Sequence, residues 1–266
     1  MNQQIEEVIK DAYQIFRRYR VPSDLNICTP CCVDEKTERL LRTAMVHTLS
    51  REVMYEYVGS ARSEPQSADE VRYFLPRMLE LIAQHQEIHH SVEIYLARLE
   101  KVDLSLFTDA ERTLLDRFAL VFFEDFINEY PVKRGVHREG GAFDGEDAFT
   151  ILLMFFKGGI SIAPLLQAWL SCETDEATLH YAVQMYWDYA DTCSAHGYQN
   201  AFASDTPEFR DELRVWVSSS LVKEVFAQRL LKLSDRQEWL ECKAQTAYFN
   251  VPPVELIGIV YDMITS

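Results

Sequence analysis

Ser67–Glu100 reads SADEVRYFLPRMLELIAQHQEIHHSVEIYLARLE, and the spacing of its apolar residues decides the fold class. Val71, Phe74, Leu75, Met78, Leu79 and Ile82 recur at intervals of three and four, which is one face of a helix. Ser67 is placed to cap it: its hydroxyl can accept from the backbone N–H three residues on while Glu70 reaches back to complete a capping box. Pro76 has no N–H to give and crowds the preceding turn, so the helix is expected either to kink near Tyr73 or to restart with Pro76 in its first turn. A second stripe, Ile88, Val92, Tyr95, Leu96 and Leu99, predicts another helical piece after His85 or Gln86.

The same periodicity runs outward in both directions. Residues 3 to 19 place Ile5, Val8, Ile9, Ala12, Ile15 and Phe16 on one face, and a loop from Pro22 to Val33 separates them from a helical pattern at 37 to 58, interrupted near Ser50. Thr108 with Glu111 makes a second capping box, opening a helix that runs to Tyr130 with two adjoining apolar stripes. The run AFTILLMFF after Asp147 is too short for a membrane span and reads as a buried helix. Further starts lie at Ile162, at Thr174 or Asp175, and at Thr206-Pro207-Glu208, where a cap, a first-turn proline and an acid follow in order. Helices at about 207 to 217, 220 to 231 and 235 to 249 then lead to a C-terminal one. The expectation is an all-α array of about ten helices with no substantial sheet. It forms either one domain over residues 1–266 or two lobes meeting at the polar, Gly-rich loop 131–146.

Composition narrows the function. With 48% hydrophobic and 12% aromatic residues among 266, the chain can bury a core, and 9 Gly with 9 Pro argue against a loop-rich β architecture. The 42 acidic against 26 basic residues give a formal charge of -16, which disfavours nucleic acid as a ligand and favours solubility or a cationic partner. The first residues, MNQQIEEVIK, carry acids where a signal peptide needs bases, and no window is apolar enough to span a membrane, so a cytoplasmic location is expected. The six cysteines then read as thiols and not as a disulfide framework.

Two residue sets have metal-ligating character. Cys28, Cys31 and Cys32 lie in CTPCC, and the two-residue gap between Cys28 and Cys31 allows both sulfurs to turn toward one zinc ion. No second Cys-x-x-Cys follows to complete four ligands, and the alternative is three small buried side chains where a loop enters a helix. His85, His89 and Glu93, spaced i, i+4 and i+8, would share one face of a continuous helix and offer a mononuclear site. Glu87 lies on the wrong side of that helix for a zincin, and no second Glu-x-x-His accompanies Glu87 and His90. There is no Gly-x-Ser-x-Gly elbow and no phosphate-binding glycine loop, and the acids Asp144, Glu146 and Asp147 suit a helix start. No catalytic residue is assigned.

The segments Cys28-Thr-Pro-Cys-Cys, Ser60-Ala-Arg-Ser, Tyr73-Phe-Leu-Pro-Arg-Met-Leu-Glu-Leu and Glu87-Ile-His-His, mainly within residues 28 to 100, together resemble a family of uncharacterised bacterial helical proteins. The resemblance implies a bacterial source and carries over no activity. The functional expectation is a binding protein of the immunity or inhibitor type, docking an acidic surface on a basic partner such as a toxin domain. The competing expectation is a metal-binding protein or metal-dependent enzyme using Cys28, Cys31 and Cys32, or His85, His89 and Glu93, and self-association through aromatic helices is a third.

Overall fold

Asn2 accepts from the N–H of Ile5 and starts α1 (Gln3–Phe16), whose Ile5, Val8, Ile9, Ala12 and Phe16 are buried as the periodicity requires. The computed structural model describes residues 2–61, 66–130, 143, 146–243 and 251–266. Twelve further helices follow among them: α2 (Glu35–Thr43), α3 (Arg51–Gly59), α4 (Ala68–Ala83), α5 (Ala97–Glu100), α6 (Asp109–Asn128), α7 (Ala148–Lys157), α8 (Ala163–Ser171), α9 (Asp175–Cys193), α10 (Pro207–Ser218), α11 (Ser220–Ser234), α12 (Gln237–Lys243) and α13 (Pro253–Thr265). Short 3₁₀ turns join several of them, and no strand occurs among the described residues. The fold is all-α. Among the described residues no helix is long and apolar enough to cross a membrane.

The chain divides into two compact units, one of Met1–Phe122, Gly140–Phe143 and Met154–Ser161, the other of Phe123–Glu139, Asp144–Leu153 and Ile162–Ser266. The division passes through α6 and α7, whereas most of the loop 131–146, the expected boundary if there are two lobes, lies outside the described residues. In the first unit α1 packs on α4, burying Val71, Phe74, Leu75, Met78, Leu79 and Ile82. Tyr13 on α1 donates to Glu80 on α4 at 2.5 Å, and burial with that carboxylate raises the phenol well above its usual range. In the second unit α13 packs against α9, α11 and α12, and α8, α9, α10 and α11 contribute an aromatic cluster. Trp169 stacks on Trp216 with centroids 5.4 Å apart and donates its indole N–H to the Ala177 carbonyl, while Tyr181 lies parallel to Phe226 at 3.7 Å.

The opening stretch departs from its reading in three ways. α4 does not restart at the proline: Pro76 is accommodated inside one helix from Ala68 to Ala83. Ser67 does cap it, accepting from the Glu70 N–H, but the Glu70 carboxylate turns inward instead of returning to the cap. The predicted second helix on Ile88 to Leu99 is only a 3₁₀ turn at Val92–Ile94 and the four-residue α5. The cause is at His85, whose φ of 55° is left-handed. His85 N–H returns to the Ile82 carbonyl and Gln86 N–H to that of Leu81, the paired bonds of a Schellman cap that closes the helix. By contrast the Thr108 and Glu111 capping box forms as expected, each donating backbone N–H to the other's side chain.

A second cap of the same design ends α7, with Gly159 at φ 74° and bonds from Gly159 to Phe156 and from Ile160 to Phe155. A Cβ at this position would run into Leu104 Cδ1 as well as strain the backbone. Gly159→Ala is therefore expected to cost about 1–2 kcal/mol in a urea titration, combining the left-handed penalty with a local shift of Leu104. An unchanged midpoint would show that this cap relaxes freely.

Candidate metal centre in the first loop

Three cysteines converge where the loop after α1 meets the end of α3. The Cys28 carbonyl accepts from the N–H groups of both Cys32 and Val33 at 3.1 Å, closing the backbone into a single tight turn. Val33 is buried and Asp34 caps α2 by accepting from Thr37, so the turn is held on its far side by a helix start. The turn places Cys28 Sγ 3.0 Å from Cys31 Sγ, and Cys31 Sγ 3.3 Å from Cys32 Sγ. All three sulfurs lie within 4.8 Å of one another, the one such grouping of three or more His, Cys, Asp or Glu ligand atoms among the described residues. Cys31 is exposed, and Cys28 and Cys32 are half-buried.

The neighbours of the sulfurs differ. Cys28 donates its N–H to Ser60 Oγ at 2.7 Å, and Ser60 Oγ donates onward to the Ala61 carbonyl, tying the turn to the chain leaving α3. A hydrogen bond to the Ala61 backbone, supported by the Cys31 thiol, lowers the Cys32 thiol from its ordinary value. Cys31, hydrogen-bonded with Cys28 first and with Cys32, is pushed up to about 12. The pattern is a coupled thiol cluster in which Cys32 gives up its proton more readily than Cys31.

What fixes the loop upstream of Cys28 is a buried ionic network. Glu70 on α4 and Arg98 on α5 are both fully buried and 3.4 Å apart. Glu70 Oε1 accepts from Tyr57 OH, Gln66 Nε2 and Arg98 Nη1, while its Oε2 accepts the Asn26 N–H at 2.8 Å. Arg98 in turn donates to the carbonyls of Asn26 and Tyr57 and to Gln66 Oε1, its guanidinium 3.8 Å above the Tyr57 ring. Both polar groups of the Asn26 backbone are thereby held by side chains from elsewhere, two residues before Cys28. A loop that would otherwise be free in water is anchored at Asn26, at Cys28 and at Val33.

The second predicted ligand set is not assembled. With α4 closed at Ala83 and His85 in the left-handed region, His85, His89 and Glu93 do not lie on one helical face, and their ligand atoms do not cluster. The His85 ring packs edge-on to Phe143, and His89 is buried against Tyr55 and His90. The helical-face reading fails because it extended the α4 periodicity through a residue that terminates it. Asp147 likewise serves as a helix start, accepting from the Thr150 N–H, while Asp144 lies outside the described residues.

In the second unit a cleft of about 240 Å³ opens between the start of α9 and α11. Glu173 and Asp175 face Arg229 and Lys232 across it, Asp175 is already paired with Arg236, and Arg229 is engaged by the Leu170 carbonyl. Its acids and bases offset one another, so it expresses no preference for one sign of ligand.

The residues that sequence reading missed are Ser60, Asn26, Glu70 and Arg98. Each looked ordinary in its own segment, a linker residue, a loop residue, a capping acid and a charge on an apolar stripe. No family model, curated protein or solved structure matches the chain.

Proposed function

We propose that this protein is a metal-binding helical protein that holds a zinc ion through the thiolates of Cys28, Cys31 and Cys32. The observation that carries the reading is the convergence of the three sulfurs within 4.8 Å in a turn anchored on both sides. Soft thiolates select zinc or Cu(I) over magnesium or calcium, and adjacent sulfurs around zinc stand about 3.8 Å apart at Zn–S distances near 2.3 Å. Reaching that spacing from 3.0 and 3.3 Å asks only for small side-chain rotations, which the exposure of Cys31 permits. Three protein ligands leave a fourth position for water or another ligand, the arrangement of an open site and not of a closed structural one. The site joins the first loop to the end of α3 through Ser60, so occupancy would also stiffen that junction.

Reduced full-length protein is expected to contain about one zinc per chain by elemental analysis. On replacing zinc with Co(II), it should show the intense near-ultraviolet band of cobalt–thiolate bonding. Cys28→Ser, Cys31→Ser and Cys32→Ser are each expected to lower affinity at least 100-fold, whereas Cys193→Ser leaves it unchanged. A protein that stays metal-free, gives no thiolate band with added cobalt and melts at the same temperature with and without chelator overturns this reading.

A second reading is favoured by one observation, the formal charge of -16. It supports an inhibitor-type protein from a bacterial source whose carboxylates accelerate docking on a basic protein such as a toxin domain. Capture experiments with the products of neighbouring genes test it, and a complex whose association rate is insensitive to salt would count against it.

A further inference from the structure

We propose that Cys28 and Cys31 form a reversible disulfide, so that oxidation by a small-molecule disulfide closes the pair and expels the bound metal. The expulsion rests on the zinc reading above; the closure rests only on the thiol geometry. Cys28 Sγ and Cys31 Sγ lie 3.0 Å apart, already closer than non-bonded sulfurs normally pack, and the backbone turn that brings them together is complete before any bond forms. Cys31 is exposed, so a soluble oxidant can reach the pair. Cys31 and Cys32 are nearly as close at 3.3 Å, yet joining neighbouring residues closes an eight-membered ring across a peptide bond that resists distortion from planar trans. The Cys28–Cys31 bond carries no such penalty, because Thr29 and Pro30 give the ring room.

The step balances without any further reactant. One thiolate of the pair attacks a sulfur of the oxidant RSSR, forming a protein–SR mixed disulfide and releasing RS⁻. The neighbouring thiolate attacks the protein sulfur of that mixed disulfide and expels the second RS⁻. Two cysteine sulfurs are oxidised and RSSR is reduced to two RS⁻, which take their protons from the two thiols in the metal-free protein and from water when the pair starts as metal-bound thiolates. Cys32 alone remains as a sulfur donor, one where a stable site needs at least three, so the metal leaves. A dithiol reductant reverses each step.

The test treats zinc-loaded and zinc-free full-length protein with oxidised glutathione, then blocks remaining thiols and maps them by peptide mass spectrometry, with released zinc followed by a chromogenic chelator. The expected result is a 28–31 linkage, loss of two free thiols, release of the bound zinc in step with closure, and recovery of both on adding dithiothreitol. Cys28→Ser and Cys31→Ser should abolish the linkage, whereas Cys32→Ser should keep it although it binds zinc poorly. A disulfide that instead joins Cys31 to Cys32, only stable glutathione adducts, or thiols that stay reduced would each overturn the proposal. The linkage forming in a protein that never takes up zinc would leave the closure standing and remove the metal reading, and zinc binding without the linkage would do the reverse.

Discussion

Replacing Arg98 with Met is expected to destabilise the first unit by about 3–5 kcal/mol. Arg98 and Glu70 have no solvent-exposed side-chain surface, so removing the guanidinium leaves a carboxylate in a site that water does not reach. The remaining donors, Tyr57 OH, Gln66 Nε2 and the Asn26 N–H, solvate that charge but do not neutralise it. The same substitution frees the carbonyls of Asn26 and Tyr57, each buried group adding its own desolvation cost. Chemical denaturation measures the loss. Arg98→Met with Glu70→Gln should recover more than half of it, because the double variant buries no charge, and this non-additivity is the signature of a coupled pair. The variant also loosens the chain two residues before Cys28, so backbone amides of 26 to 33 should exchange faster and zinc affinity should fall without any ligand being touched. A loss below about 1 kcal/mol would mean that the network is bystander packing and that the cysteine turn holds itself.

The second large effect concerns pH and lies in the other unit, where two buried groups bind protons in opposite senses. His180 is buried, with Nε2 on the Glu129 carbonyl at 2.9 Å and its ring against Phe126, and burial lowers it from 6.5 to about 4. Between those values the unfolded chain takes the proton and the folded one refuses it, so this residue makes stability rise with pH across roughly 4 to 6.5, by about 3 kcal/mol at most. Asp188 is raised from 3.8 to about 7, first by burial and then by the charges of Asp147 and Asp191, with the Gln184 amide opposing at 2.6 Å. Here the folded chain holds the proton that the unfolded one gives up, so stability falls as pH rises across roughly 3.8 to 7. Allowing for the partial exposure of this carboxylate, the cost is on the order of 2 kcal/mol.

The two slopes oppose each other, and the wild-type protein should gain only about 1 kcal/mol between pH 4 and 6.5 from this pair. Single substitutions separate them. Asp188→Asn keeps an acceptor for Gln184 and should be more stable than wild type at pH 7.5 by about 2 kcal/mol, with a stability that now climbs steeply from pH 4 to 6.5. His180→Gln keeps a donor for Glu129 and should show the opposite, a stability that declines toward pH 7. Denaturant midpoints across the pH range read both outcomes. An Asp188→Asn protein less stable than wild type at pH 7.5 would mean that the carboxylate is held ionised by a partner and is not strained by burial.

Much of this molecule is settled within segments of ten to twenty residues. The helix starts at Ser67 and Thr108, the buried faces of α1, α4 and α6, and the acid-rich first turns all follow from spacing and cap chemistry, which act over one or two turns and need no partner to be legible. The Cys28-x-x-Cys31-Cys32 pattern also announced its thiol cluster locally, because a two-residue gap is enough for both sulfurs to face one point.

What required the tertiary structure was every decision that sets a local preference against a distant contact. Glu70 is a capping acid by spacing, yet it turns inward because Arg98, Tyr57 and Asn26 offer it more than the cap does. His85 continues an apparent helix in sequence but closes it in space, since a Schellman cap can be made by a residue other than glycine once the next segment packs elsewhere. That one left-handed residue dispersed the His85, His89 and Glu93 set. Short-range spacing determined that helices form and where most begin. Only the folded chain decided which polar groups lose water together, because desolvation depends on neighbours that the linear sequence holds dozens of residues apart.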